Sequence, residues 1–164
     1  MPLLSDIAKQ NKIKYFLIDI PKNHKILEIG SGSGWVSDYL KNNGWENYTG
    51  IDIVPPAEIV GDIHNWKTLG LEENSFDVII AFEVIEHVDC FKDCLELLKP
   101  KGKLLLTTPY PLMDWFLILL EFLGLNQKRT STHNNLVYLK KVSIFKNKKI
   151  KIILFLSQWG IFIK

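Results

Sequence analysis

Cysteine is nearly absent from this chain: Cys90 and Cys94 are the only two in 164 residues. Four positions apart, they match neither a metal-binding C-x-x-C nor a disulfide framework, so we read them as reduced thiols of a cytoplasmic protein. Long apolar runs are missing too. The longest, Trp115 to Leu125, is interrupted by Glu121 and falls short of the ~20 apolar residues that cross a bilayer. Met1 to Lys14 carries Asp6 and Lys9 where a secretory signal would be apolar, so no signal peptide is expected. Repeats, low-complexity tracts and linkers are also lacking, and the length fits one domain, 1–164, with a sizeable core. Acidic residues are absent from 122–164, which holds nine Lys or Arg, while 1–121 carries all 18 acids against 11 bases. Such asymmetry marks either a surface that meets an anionic partner or edge strands guarded by lysine.

What is present is concentrated at the ends of apolar runs. Residues 26–34 read Ile-Leu-Glu-Ile-Gly-Ser-Gly-Ser-Gly, an apolar strand ending in a glycine-rich turn that opens a helix. A second apolar run ends Gly50-Ile51-Asp52-Ile53, placing the Asp52 carboxylate at a strand tip where it can accept hydrogen bonds from a ribose. A dinucleotide fingerprint would need glycine at position 35, and Trp35 stands there. Glu28, two residues before Gly30, would repel a pyrophosphate and welcome an ammonium group.

Along the chain, strands alternate with helices, as in a parallel sheet covered on both faces. The pattern predicts a leading amphipathic helix over 3–18 and strands at Lys25–Ile29, Tyr48–Ile53, Glu58–Val60, Phe76–Phe82 and Lys103–Thr107. It predicts helices at Trp35–Asn43, Val84–Leu98 and Leu112–Leu123, with Pro100-Lys101-Gly102 as a break. Lys149–Leu156 and Gly160–Ile163 read as an antiparallel terminal hairpin. The polar stretch 126–135 is placed where a substrate loop would be.

The glycine run with Glu28 and Asp52 resembles the first motif, E/D-x-G-x-G-x-G, of the class I S-adenosylmethionine-dependent methyltransferases. Glu83-Val84-Ile85-Glu86-His87-Val88 is similar to the type 11, ubiquinone-pathway O-methyltransferase group and to the small-RNA 2′-O-methyltransferases. The Asn/Asp-Pro-Pro-Tyr/Phe cluster of enzymes that methylate base nitrogens is lacking. The resemblance, strongest over residues 20–110, implies an α/β doubly wound, mostly parallel seven-stranded sheet in the order 3-2-1-4-5-7-6, with a terminal antiparallel hairpin. It implies S-adenosylmethionine as cofactor, held by Glu28, Gly30, Ser31, Gly32, Gly34, Asp52, Ile53, Asp62, Ile63, Phe82 and Glu83. Tyr110 and His133 are the candidate proton acceptors, with Asp114 beside them. Glu83, Glu86, His87 and His133 are the candidate ligands of a divalent metal that the resemblance allows but does not require. The implied reaction moves a methyl group to a hydroxyl, or another nucleophile, of a small metabolite or surface sugar. The alternatives are a 2′-hydroxyl of RNA, suggested by the basic tail, and a silent cofactor-binding regulatory partner.

Overall fold

In the computed structural model, residues 3–113, Phe122 and 136–164 are described. Apolar runs bounded by turn residues become the strands: β1 Ile26–Ile29, β2 Tyr48–Asp52, β3 Ile59–Val60, β4 Phe76–Phe82, β5 Leu98–Pro109, β6 Asn147–Ile153 and β7 Ser157–Ile163. They form one seven-stranded sheet in the order β3-β2-β1-β4-β5-β7-β6. The first five are parallel, and β7 runs antiparallel to both β5 and β6. The order inferred from the motif is therefore the order observed. The final strand lies inside the sheet, between β5 and β6.

Period-two alternation divides the core into two layers. On one face, Ile26, Val78, Ile80, Leu105 and Trp159 pack against Val36 and Leu40 of helix α2 (Trp35–Asn42) and against Phe16 and Leu17. Those last two lie in the wide helical turn Ile13–Leu17 that continues α1 (Leu3–Lys12). On the other face, Leu27, Ile79, Leu104 and Leu106 pack against Phe91, Cys94 and Leu97 of α3 (Phe91–Leu97). Each fully buried Leu, Ile or Phe contributes roughly 1.5–3 kcal/mol, so these layers are the main source of stability.

Several predicted elements differ. The terminal hairpin turns at residues 154–156, inside the strand predicted over Lys149–Leu156, so β6 ends at Ile153 and β7 begins at Ser157, three residues before the predicted Gly160. The helix expected over Val84–Leu98 is a tight turn at 83–87 followed by the shorter α3. Glu83 takes a left-handed φ of 56° and the chain turns back over 85–87, and Asp89 then accepts from the Phe91 amide as the chain enters a helix. Strand β5 begins at Leu98, five residues earlier than predicted, because Pro100-Lys101-Gly102 forms a bulge between the pairs Phe76–Leu98 and Val78–Lys103. Lys101 carries the positive φ, 66°, that the bulge requires. Of the helix predicted at Leu112–Leu123, the short turn Pro111–Met113 is seen, and the segment 114–121 and the polar stretch 126–135 lie outside the described residues.

Candidate functional site

Ligands of open parallel sheets bind beyond the carboxyl ends of the strands, where strand order reverses. Here that point is flanked by β1 and β4, and the predicted residues gather at their tips. The β1 turn is built on glycine for two separate reasons. A Cβ at Gly30 would stand 2.5 Å from Val84 Cγ2, so this turn packs directly against the turn after β4. Gly34 takes φ 75° at the start of α2 with no atom within 4 Å of a notional Cβ, leaving the backbone open to a ligand.

Asp52 crosses to meet this turn. Its Oδ2 accepts from the Gly32 amide at 2.8 Å, and its Oδ1 accepts from Val54 N–H at 3.3 Å. A carboxylate has about four lone-pair directions, so it can also receive two hydroxyls. Ile53 and Val54, next in the chain, are 74% and 54% exposed, an apolar pair without cover beside a polar anchor. Asp62 accepts from His64 N–H at 3.0 Å and caps the short turn Ile63–Asn65, while Ile63 faces the core, only 4% exposed. Ser31 is likewise buried, beneath the turn and against Gly50.

Glu28 lies behind the turn rather than in it. It is 3% exposed, and the Tyr48 hydroxyl donates to its Oε2 in a short hydrogen bond. Burial, with the charges of Asp52 and Glu58, pushes its carboxyl up to about 8 against the opposing effect of the Tyr48 bond. Burial and Glu28 together raise the Tyr48 phenol far above its ordinary value. Near neutral pH Glu28 is therefore mostly uncharged. The electrostatic selection expected of it at the turn is muted in this arrangement.

The β4 tip combines aromatic and charged side chains. Phe82 stacks on Trp35 at 6.1 Å between centroids. Glu83, 41% exposed along its side chain, accepts from Thr107 Oγ1 at 2.7 Å and pairs with Lys12 Nζ at 2.9 Å. Desolvation works against ionisation of Glu83, but Lys12 and the Thr107 hydroxyl outweigh it and hold the carboxyl below its usual range. Glu86 is 1% exposed and accepts from Thr108 Oγ1 at 3.0 Å; burial and the neighbouring Glu83 raise its carboxyl. His87 is exposed, its amide bonded to Val84 O. Glu83, Glu86 and His87, three of the four candidate metal ligands, do not converge, because the turn sends Glu86 inward and His87 outward. Among the described residues, no three His, Cys, Asp or Glu side chains gather in a metal-holding group. Tyr110 sits at the end of β5, edge-on to Tyr138 at 5.8 Å, and His133 and Asp114 lie outside the described residues.

Two contributors escaped the sequence reading: Lys12 and Tyr48. Thr107 and Thr108, expected from the sequence to wall the substrate side beyond the fifth strand, carried a signal, being hydroxyls directly after the apolar run Leu104–Leu106 in the buried half of β5. Lys12 carried none, since its role depends on α1 crossing the β4 tip. Its ammonium also lies 5.3 Å from the Phe82 ring centroid.

The same architecture recurs in known proteins. A solved S-adenosylmethionine-dependent methyltransferase from Archaeoglobus fulgidus superposes with a TM-score of 0.69 at 17% identity, covering 100% of this chain and 95% of that one. The ubiquinone biosynthesis O-methyltransferase of Xanthomonas axonopodis pv. citri is 30% identical over 106 residues, 54% of this chain and 44% of that protein. The phosphoethanolamine N-methyltransferase of Plasmodium falciparum is 30% identical over 108 residues, 55% of this chain and 41% of that protein. The chain thus spans less than half the length of these two relatives. A family model described as a methyltransferase domain matches residues 6–148. With that match on a seven-stranded 3-2-1-4-5-7-6 sheet, the chain belongs to the methyltransferase domain family.

Proposed function

We propose that residues 1–164 act as one domain that binds S-adenosylmethionine in this crevice and transfers its methyl group to a hydroxyl of a small metabolite or surface sugar. The observation that carries the reading is the Asp52 carboxylate bonded to Gly32 N–H at 2.8 Å, beside an open glycine turn and the uncovered Ile53 and Val54. That combination fits a nucleoside: Asp52 for the ribose hydroxyls, the two apolar side chains for the base, and the amides of Gly32 to Gly34 for a carboxylate. Bound there, the cofactor supplies an electrophilic methyl on a sulfonium.

The chain's own residues then need to hold an acceptor in line with that methyl group, and orientation supplies much of the acceleration. Phe82 and Trp35 stack beside the glycine turn, and Glu83, steadied by Lys12 and Thr107, offers an acceptor oxygen next to them. Tyr110 and His133 are the residues we assign to take the acceptor's proton if it leaves early. A hydroxyl acceptor is supported by the O-methyltransferase named above, and the N-methyltransferase makes an amine its main competitor. Single-turnover transfer of labelled methyl to a metabolite extract, followed by hydrolysis behaviour of the product, tests both statements. No transfer from a cofactor-saturated protein to any fraction would overturn the enzymatic reading in favour of a binding role.

A further inference from the structure

The β6–β7 hairpin ends in a turn that is unfavourable twice over. Leu154 and Phe155 adopt φ of 49° and 58°, left-handed values that tight hairpin turns normally give to Asn and Gly. Both are also large and apolar, and they stand 80% and 70% exposed. The turn itself is well formed, closed by Leu156 N–H to Ile153 O at 2.9 Å.

Its position is defined by the sheet. Ser157 pairs with Pro109, and Tyr110 N–H donates to Leu156 O at 2.9 Å, so the tip sits at the carboxyl end of β5. This is the end of the sheet that carries the Gly30 turn, Asp52 and Glu83. Leu112, just beyond Tyr110, is 63% exposed. The tip is followed down the edge strand by Lys151, Lys149 and Lys148, with Lys146, Lys141 and Lys140 in the preceding loop, all exposed. None of the six forms an ion pair with a described residue, and no acid occurs after position 121. Lys148 Nζ is held by the carbonyls of Lys140 and Val142, and Lys141 and Lys151 lie over the Tyr138 and Tyr15 rings at 5.2 and 5.3 Å, so each keeps an uncompensated positive charge.

We propose that this hairpin docks the domain on an anionic lipid surface, with Leu154 and Phe155 entering the interface and the β6 lysines meeting the headgroups. The charge pattern selects this occupant. A short apolar wedge with a cationic flank supplies the two weak signals that reversible membrane association needs. Two side chains offer far less than the ~800 Å² per partner of a stable protein complex. Stacking aromatics, which single-stranded RNA would use, are not interleaved with the β6 lysines. Docked this way, the crevice rim is turned toward the lipid. The surface stands independently of which molecule is methylated.

Flotation of the full chain with vesicles tests it. Binding is expected to vesicles containing roughly one-third phosphatidylglycerol in phosphatidylcholine, and not to phosphatidylcholine alone. The double substitution Leu154→Asn, Phe155→Gly suits the turn, so it should keep or raise the melting temperature while weakening vesicle binding about tenfold or more. Lys149→Gln with Lys151→Gln should weaken it about fivefold per lysine. Leu154→Cys carrying a polarity-sensitive dye should shift its emission to the blue on anionic vesicles. Equal binding to neutral vesicles, undiminished binding in either double variant, or a dye that does not respond would overturn the proposal. So would loss of self-association, rather than of lipid binding, in the Asn-Gly variant, or RNA binding that depends on the lysines alone.

Discussion

Glu28→Gln should make the protein more stable at pH 8 than the wild type while leaving acid stability equal or slightly lower. The native carboxyl sits near 8 because it is 3% exposed, whereas its ordinary value is 4.5. Between those pH values the folded protein keeps a proton that the unfolded chain has released. Stability therefore falls as pH rises through this window, and is flat outside it. At ~1.4 kcal/mol per pH unit, the cost at pH 7 is on the order of 3 kcal/mol. Gln cannot ionise, and its carbonyl can still accept from the Tyr48 hydroxyl. It therefore removes the slope at the expense of one amide group in a buried site. Glu86, raised in the same direction by burial and by Glu83, remains in the variant, so part of the slope should persist. Thermal unfolding between about pH 5 and 8.5 measures this directly: the two curves should diverge toward alkaline pH, with the variant above. Parallel curves would show that Glu28 is ionised when folded, and the account of its burial would fail.

Asp52→Asn keeps an acceptor for Gly32 N–H but loses the charge offered to the ribose; cofactor affinity should drop about 10- to 100-fold by calorimetry, a loss of ~1.5–3 kcal/mol. An unchanged dissociation constant would remove Asp52 from the site. Gly30→Ala should destabilise by roughly 2–4 kcal/mol in urea unfolding, from its left-handed φ and the clash with Val84. Val84→Ala in the same chain should recover part of that, and no recovery would mean the two turns do not share the strain. Lys12→Gln should move the Glu83 carboxyl titration upward when followed by carbon NMR; an unmoved titration would show that the pair is not formed in solution.

Most of the fold was legible because its signals are local. The Phe76–Phe82 strand was read to the residue, since a buried central strand is apolar on both faces. The glycine turn and Asp52 were placed by spacing alone. The helix at 84–98 misled because Val84 and Ile85 are buried in the turn, continuing the apolar period of Phe91 and Cys94 without a helical backbone beneath it. Pro100-Lys101-Gly102 looked like a break because a bulge and a strand end use the same residues. Sequence shows that Glu28 precedes the glycine turn, but not that Tyr48 on the next strand bonds to it. Lys12, 71 positions from Glu83, is a product of tertiary placement alone.

The inner position of the last strand has a consequence for how the chain is made. When β5 leaves the ribosome it can pair with β4 on one side, but its other edge, carrying Leu104-Leu105-Leu106, has no neighbour until β7 is complete. Roughly 50 residues must be added in between, a delay of a few seconds at ~5–20 residues per second. For that interval the nascent domain exposes an apolar strand edge, a template for pairing with other chains. Shifting codons in 110–156 toward slower translation should lengthen that window and raise the aggregated fraction, although the finished protein would be identical in every atom.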